Sequence, residues 1–310
     1  MDLSLLIATR NRPASLAATL THVAGQTGLD RVDWEVVVVV NGSHEDTESV
    51  LRAAQPSLPL RWIRETRPGK SVALNRALDI AGGELIAITD DDVVPDPRWL
   101  SDLLAAAGRW PDHAVFGGPI DPLFPRDTPA WIRDHPNGNM WFSRFVRPQL
   151  EGPLPSEDLP YPPNLALRAR VIRAVRFNEE MGPMPGDYPL GCELELIRRL
   201  IARGERAVYV PSARLQHVVR EEQTNEQWLL QRCFRAGRGL VRWYWHSDAA
   251  SIQLLGRPLR LWRALVAGWV RHGLSRLRPA HRRFDCDCQL RVVLGQLHEH
   301  DRLTSQRRGG

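Results

Sequence analysis

Three consecutive aspartates, Asp90-Asp91-Asp92, directly follow the apolar run Leu85–Thr89. Adjacent carboxylates repel one another unless a cation or solvent screens them. On a loop at a strand end, the first and third can point to the same side. Hard oxygen ligands in that arrangement suit Mg²⁺ or Mn²⁺ shared with substrate phosphates. From charge alone, the alternative is a solvated acidic turn, with Asp96 capping a nearby helix. Gly69-Lys70-Ser71 precedes a helical pattern. It lacks the upstream glycine of a Walker A loop. Lys70 either reaches a phosphate near the helix N-terminus or lies on the surface.

The elements that must carry these groups follow from hydrophobic patterning. Leu3–Thr9 is a short apolar run, and Pro13 opens a helical stretch over 13–20, proline being tolerated in a first turn. Trp34–Val40 holds five consecutive valines and reads as a strand buried on both faces. Residues 60–65 form a third candidate strand, 71–80 a helix, and Leu85–Thr89 a further strand. Strands alternating with helices indicate βαβ units and a parallel sheet. Ligands of such sheets sit beyond the carboxyl ends of the strands. Polar clusters stand at three of those ends: Thr9-Arg10-Asn11, Asn41-Gly42-Ser43 and Asp90-Asp91-Asp92. Residues 119–163 are rich in Pro, Trp and Gly and read as a long loop with short elements, in the manner of a lid or binding loop. Patterning returns at 164–168, at a helix over 192–203, and at strands 207–210 and 214–218. From Gln223 onward the pattern is mainly helical.

Composition sets the outer limits. The 310 residues are 43% hydrophobic and 25% charged, which is globular and excludes disordered, collagen-like and coiled-coil chains. Four cysteines make no disulfide framework, so the expectation is a reducing, cytoplasmic setting. No apolar run approaches the ~20 residues that span a bilayer. The start, MDLSLLIATR, has no basic flank and too short an apolar run for a signal peptide. Net charge is +5, and Lys70 is the single lysine among arginines. Coding bias explains that usage, and arginine also suits bidentate phosphate contacts.

The blocks SLLIATRNRP, VVVVVNGSHEDT, RPGKSVALNRAL and ELIAITDDDVVPDPRWL occur in that order. They are followed by PAWI at 129–132, PPNLALRARVI from Pro162 and GCELELIRRLIARGERAVYVPSARLQHV from Gly191. This series resembles the family 2 glycosyltransferases over residues 3–217, and weakly over QWLLQRCFRAGRG. The resemblance implies an α/β, GT-A fold: a Rossmann-like, mostly parallel sheet flanked by helices. It implies a catalytic domain over 1–222, with 223–310 a helical C-terminal region.

Position by position, the resemblance also implies roles. Thr9 and Arg12 stand where the family holds nucleobase and ribose, and Asn41 where relatives contact the base. Lys70, Asn75 and Arg76 belong to the block beside the nucleotide. Asp90 and Asp92 are the DxD pair, with Asp91 between them at the donor and Asp92 the direct metal ligand. His217 closes the nucleotide and metal site, and Asn164 falls near the transferred sugar. The family often shows Gly-Glu-Asp before its late helix, the Asp being the catalytic base. This chain has Gly191-Cys192-Glu193. Glu193 can take the same proton through a longer arm, or serve only as a helix N-terminal charge. Glu195, two residues on, points away.

The implied activity is inverting, metal-dependent transfer from a nucleotide-diphosphate sugar, UDP being the family-weighted nucleotide, with Mn²⁺ or Mg²⁺ as cofactor. The acceptor is a carbohydrate, lipid-linked or other hydroxyl, and no nucleic acid is involved. The rival reading is a catalytically silent nucleotide-sugar or membrane-surface binding module. A sugar-nucleotide pyrophosphorylase would need a Gly-rich N-terminal loop, which ATRNRP is not. A processive synthase would need channel helices and QxxRW, where this chain has QRCFR. Cys286 and Cys288, with His281 nearby, lack the further ligands zinc needs and read as ordinary thiols. Trp131, Trp141 and Phe142 either stack on an acceptor sugar or pack inside. Residues 257–284 are basic, without Asp or Glu, and place Leu259, Trp262, Val266, Trp269 and Leu277 near one helical face. That segment reads either as an interfacial helix on the inner face of the membrane or as one packed on the enzyme's own body or a second subunit. Oligomeric state stays open.

Overall fold

The run Val36–Val40 is built of β-branched side chains that fit a pleated, buried surface. It forms most of β2 (Trp34–Val40) in the computed structural model, which describes residues 1–42, 45–186, 188–248, 252–275 and 280–309. Ser43 and Leu277 of the sequence reading lie outside the described residues. The strand β1 (Leu3–Thr9) is followed by α1 (Pro13–Ala24) before β2. Then come α2 (Glu45–Ala54), β3 (Leu60–Arg64), α3 (Lys70–Ile80) and β4 (Leu85–Thr89). β1 pairs in parallel with β2 on one side and β4 on the other, and β3 lies outside β2. The chain therefore winds outward in both directions from β1. The crevice at the carboxyl ends of β1 and β4 is the topological switch point where open α/β sheets bind ligands.

Next are β5 (Val93–Pro95), α4 (Trp99–Arg109), β6 (Val115–Gly117) and β7 (Ile120–Leu123). The short helices α5 (Ala130–Arg133) and α6 (Gly138–Phe142) precede β8 (Gly152–Pro153), β9 (Leu165–Arg168) and α7 (Ala169–Val175). After α8 (Cys192–Ala202) come β10 (Ala207–Tyr209) and β11 (Leu215–Val218). The main sheet has the order β3-β2-β1-β4-β9-β6-β10-β8. β9 runs antiparallel to both β4 and β6, so the sheet is mixed beyond β4. A three-stranded sheet places β11 between β5 and β7 and sets His217 opposite Val93. That register brings the histidine beside the acidic run.

The chain divides into two units. One comprises Met1–Arg126, Pro136–Glu179 and Glu193–Val219; the other comprises Asp127–His135, Glu180–Cys192 and Arg220–Gly310. In the first, Glu35 is a buried carboxylate that accepts from Ser4 Oγ and the Gly82 amide, each at 2.7 Å, and from Arg61 Nε at 2.5 Å. Burial alone raises its pKa. The bonds from Arg61, Gly82 and Ser4 outweigh burial and leave it below the ordinary 4.5. A depressed carboxyl contributes stability above its unfolded value, and that contribution is lost as pH falls through the folded value. Glu35→Gln is therefore expected to be less stable at neutral pH and to lose stability less steeply below pH 4.5, which urea titrations at several pH values measure.

Trp141 and Phe142 are each 1% exposed, so of their two readings the structure shows packing. In the second unit, α9 (Glu226–Asp248) leads to β12 (Gln253–Leu254), β13 (Arg257–Pro258), α10 (Leu259–Ser275) and α11 (Ala280–Gly309). α9 and α11 touch backbone to backbone. A Cβ on Gly237 would come within 2.0 Å of the Val292 carbonyl oxygen, and one on Gly295 within 2.0 Å of that of Phe234. Glu299, fully buried, is matched by Arg238, Arg242 and Arg302 at 2.6, 2.8 and 2.7 Å. A charge at that depth persists only when so paired. Cys286 and Cys288 are buried free thiols, and Cys288 is hydrogen bonded with Cys233. No helix among the described residues is long and apolar enough to cross a membrane.

Candidate active site

The acidic run occupies the turn between β4 and β5, and its three carboxylates take different directions. Asp91 turns back toward β1. It accepts from Thr9 Oγ1 at 2.6 Å and from Arg12 at 3.1 Å, while its carbonyl accepts from Ser15 Oγ at 2.7 Å. Burial pushes the Asp91 carboxyl above its ordinary value, and the charges of Asp92 and Asp90 add to this. Arg12 and Thr9 oppose it. Asp90 and Asp92 face the other way, together with His217. One ligand atom from each lies within 4.8 Å of the others.

His217 Nδ1 lies 3.2 Å from the Phe142 carbonyl oxygen, and Nε2 lies 3.3 Å from Asp92 Oδ1. A carbonyl only accepts, so Nδ1 carries the proton and Nε2 is directed at the carboxylates. Burial alone would lower the imidazole pKa. The hydrogen bond to Asp92 and the charges of Asp92 and Asp90 override it and leave a net rise. A cluster of two carboxylates and one imidazole nitrogen, with its tautomer fixed from behind, fits a single divalent cation.

Lys70, at the start of α3, bridges two acids. Its Nζ is ion-paired with Asp90 and lies 2.5 Å from Glu193 Oε1. Glu193 stands in the first turn of α8 and is 4% exposed. The lysine thus balances a buried carboxylate and ties it to the metal-type cluster. Glu195 is engaged elsewhere, receiving Arg199 Nε and Nη2 at 2.6 and 2.9 Å. Gly191, just before Cys192, has φ of +94°, and a Cβ there would meet the Trp243 ring at 2.7 Å. Only glycine fits that close approach of backbone to ring.

The other residues singled out in the sequence divide into near and remote. Arg12 lies in the cluster, with Nη1 3.1 Å from both Asp91 and Asp92. Thr9 is 2% exposed and holds Asp91. Asn41 is buried, and its amide shapes the turn before α3: Nδ2 donates to the carbonyls of Glu65 and Arg67, and Oδ1 accepts from Gly69 N. That turn delivers Lys70. Asn75 is occupied in joining α3 to the segment after α7, donating to the Phe177 carbonyl at 3.0 Å and accepting from Phe177 N at 2.9 Å.

Asn164 is fully buried. Its Oδ1 accepts from Trp99 Nε1 at 2.8 Å, and its Nδ2 donates to the carbonyls of Pro119 and Ala213 at 3.0 and 2.7 Å. Such an amide holds strands and α4 together and presents no free edge to a sugar. Asn164→Ala is therefore expected to lower stability, each group left unsatisfied costing about 1–3 kcal/mol. Chemical denaturation measures it.

Three contributors are absent from the sequence reading: Ser15, Thr19 and the Phe142 carbonyl. Thr19 Oγ1 accepts from Val93 N at 3.1 Å and donates to Val93 O at 3.2 Å. Ser15 and Thr19 sit four apart on α1, on one helical face. Two hydroxyls at that spacing on one face of a mostly apolar helix were the available signal. A backbone carbonyl leaves none.

A mostly parallel sheet with flanking helices and an acidic cluster at its switch point is the GT-A architecture. The chain belongs to glycosyl transferase family 2, whose model matches residues 4–170, and it is a glycosyltransferase. The succinoglycan biosynthesis protein ExoM of Rhizobium meliloti is 24% identical over 245 residues, 77% of this chain and 74% of that protein. Among solved structures, the mannosyltransferase PcManGT from Pyrobaculum calidifontis, in complex with GDP-Man and Mn²⁺, superposes with a TM-score of 0.62 at 18% identity. The match covers 96% of this chain and 86% of that one. TarS from S. aureus, in complex with UDP-GlcNAc, gives 0.56 at 17% identity over 96% and 92%.

Proposed function

We propose that the chain transfers a sugar, with inversion, from a nucleotide-diphosphate sugar to an acceptor hydroxyl, and that the reaction depends on a divalent cation. The observation that carries this reading is the convergence of Asp90, Asp92 and His217, linked through Lys70 to the buried carboxylate of Glu193. The donor class draws support from the bound GDP-Man and UDP-GlcNAc of two structural neighbours. UDP is our reading of the nucleotide. Catalysis is assigned to residues 1–222, with 223–310 a helical accessory region.

A cation held by Asp90, Asp92 and His217, Mn²⁺ or Mg²⁺, would offset charge on the leaving diphosphate. The imidazole ligand favours Mn²⁺ of the two. Glu193 takes the proton of the acceptor hydroxyl. The freed oxygen pair bonds to the anomeric carbon from the face opposite the diphosphate. The bond from that carbon to the diphosphate oxygen breaks, and nucleoside diphosphate leaves with the electron pair. In this scheme Lys70 pairs with Glu193 and Asp90 at rest and shifts toward the diphosphate when donor arrives beside Asp90. Arg12 keeps Asp92 aimed by gripping it together with Asp91.

Incubation of the full chain with a panel of UDP- and GDP-sugars and simple sugar acceptors tests the reading. Release of nucleoside diphosphate that requires Mn²⁺ or Mg²⁺ is the expected result. Release that persists undiminished in excess chelator would refute the metal requirement.

A further inference from the structure

Of the eleven large apolar side chains exposed among the described residues, seven lie between Ile252 and Leu274. They form two groups in the second unit. The first is the tip of the β12–β13 hairpin, where Ile252 and Leu255 are 77% and 82% exposed. The second is the outer side of α10. There Leu261, Gly268 and Ser275 recur every seven residues as a buried strip, with Leu261 packed on Val293 and Leu297 of α11. By helical geometry Val266 and Val270 fall opposite this strip, with Trp269 and Leu274 to either side of them, and the four are 54–62% exposed. The helix is apolar on both sides, and among the described residues of this unit the strip side packs on α11 while these four side chains stay exposed.

The hairpin tip carries a second sign. Leu255 has φ of 52° and Gly256 φ of 73°, the pattern of a turn that ordinarily takes Asn-Gly. A leucine in left-handed backbone is disfavoured, and here its side chain touches little of its own protein. The turn is held in place nonetheless: Leu259 N donates to Ile252 O at 2.8 Å, and Trp262 Nε1 to Leu254 O at 2.7 Å. A disfavoured residue with an exposed apolar side chain, on a fixed turn, suits insertion into something apolar.

Charge identifies the occupant. Residues 257–284 hold eight arginines and no Asp or Glu, and residues 220–310 hold 17 arginines against eight carboxylates. Arg260, Arg263 and Arg271 of α10 are exposed. A two-fold contact with a second copy would set this arginine belt against itself. An anionic lipid surface complements it, with phosphates for the guanidinium groups and acyl chains for the tip. We propose that the β12–β13 tip and the outer face of α10 form a docking surface for an anionic bilayer, with Trp269 at the headgroup level.

Sedimentation of the full chain with phosphatidylglycerol–phosphatidylcholine vesicles, and with phosphatidylcholine alone, tests this. Binding to the anionic vesicles is expected, falling with salt and by about 5-fold for each of Arg263→Gln and Arg271→Gln. Leu255→Asn suits the backbone, so its melting temperature should hold or rise while vesicle affinity falls ~10-fold or more. Trp269→Gln should weaken binding as well. The proposal is overturned if the full chain ignores anionic vesicles at low salt. It is equally overturned if Leu255→Asn and Trp269→Gln bind as the parent does. A stable dimer that Trp269→Gln dissociates, without vesicle binding, would assign the face to a second copy instead.

Discussion

Asp92→Asn is expected to lower turnover by ~10²–10³-fold, the cost typical of removing a group aimed at developing charge. Asp92 is the acid most deeply shared in the cluster: it is 5% exposed and lies beside both His217 and Arg12. The amide keeps the shape but removes one of two negative ligands for a cation. The turn itself should survive, because Asp91 remains held by Thr9, Arg12 and Ser15. Melting temperature should therefore change little while steady-state turnover collapses and Mn²⁺ affinity, read by electron paramagnetic resonance, weakens. Turnover within twofold of the parent, with unchanged Mn²⁺ affinity, would remove Asp92 from the metal site.

Glu193→Gln is expected to lower the transfer rate by ~10²–10⁴-fold, the usual contribution of a positioned base. Donor binding should persist, since the glutamine still faces Lys70 and leaves Asp90, Asp92 and His217 intact. Glu195 offers no ready substitute, because both its oxygens are engaged by Arg199. Single-turnover measurements on saturating donor separate this loss of chemistry from a loss of binding. A variant that transfers sugar at near-parental rate would place the base on another residue and reduce Glu193 to a partner of Lys70.

Much of the frame was legible because local pattern dictates it. Apolar runs at Leu3–Thr9, Trp34–Val40 and Leu85–Thr89 become strands with those limits. Lys70 stands at the first turn of its helix because the chain turns there on Gly69. The acidic triplet was legible as a strand-end feature, and its first and third members do face one way with His217. The antiparallel insertion of β9 between β4 and β6 was not, since a strand's direction in a mixed sheet is set by distant pairing. The asparagines mark the other boundary. Asn41, Asn75 and Asn164 stand in blocks that the family resemblance ascribes to donor and acceptor, and their amides close backbone turns and bury polar ends. Residue type and position do not distinguish an amide that meets a ligand from one that meets the main chain. Only the partner atoms do. Ser15 and Thr19 show the converse, as hydroxyls on an ordinary helix that hold the acidic turn.

In the proposed function, Asp90, Asp92 and His217 join a divalent cation to a nucleotide diphosphate. Calorimetric titration of UDP, and separately of GDP, into the full chain tests it most directly, in Mn²⁺ and after chelation, for the parent and Asp92→Asn. One of the two nucleotides should bind the parent much more tightly with Mn²⁺ than after chelation, and Asp92→Asn should lose most of this difference. Equal nucleotide affinity with and without the metal in the parent chain would contradict it.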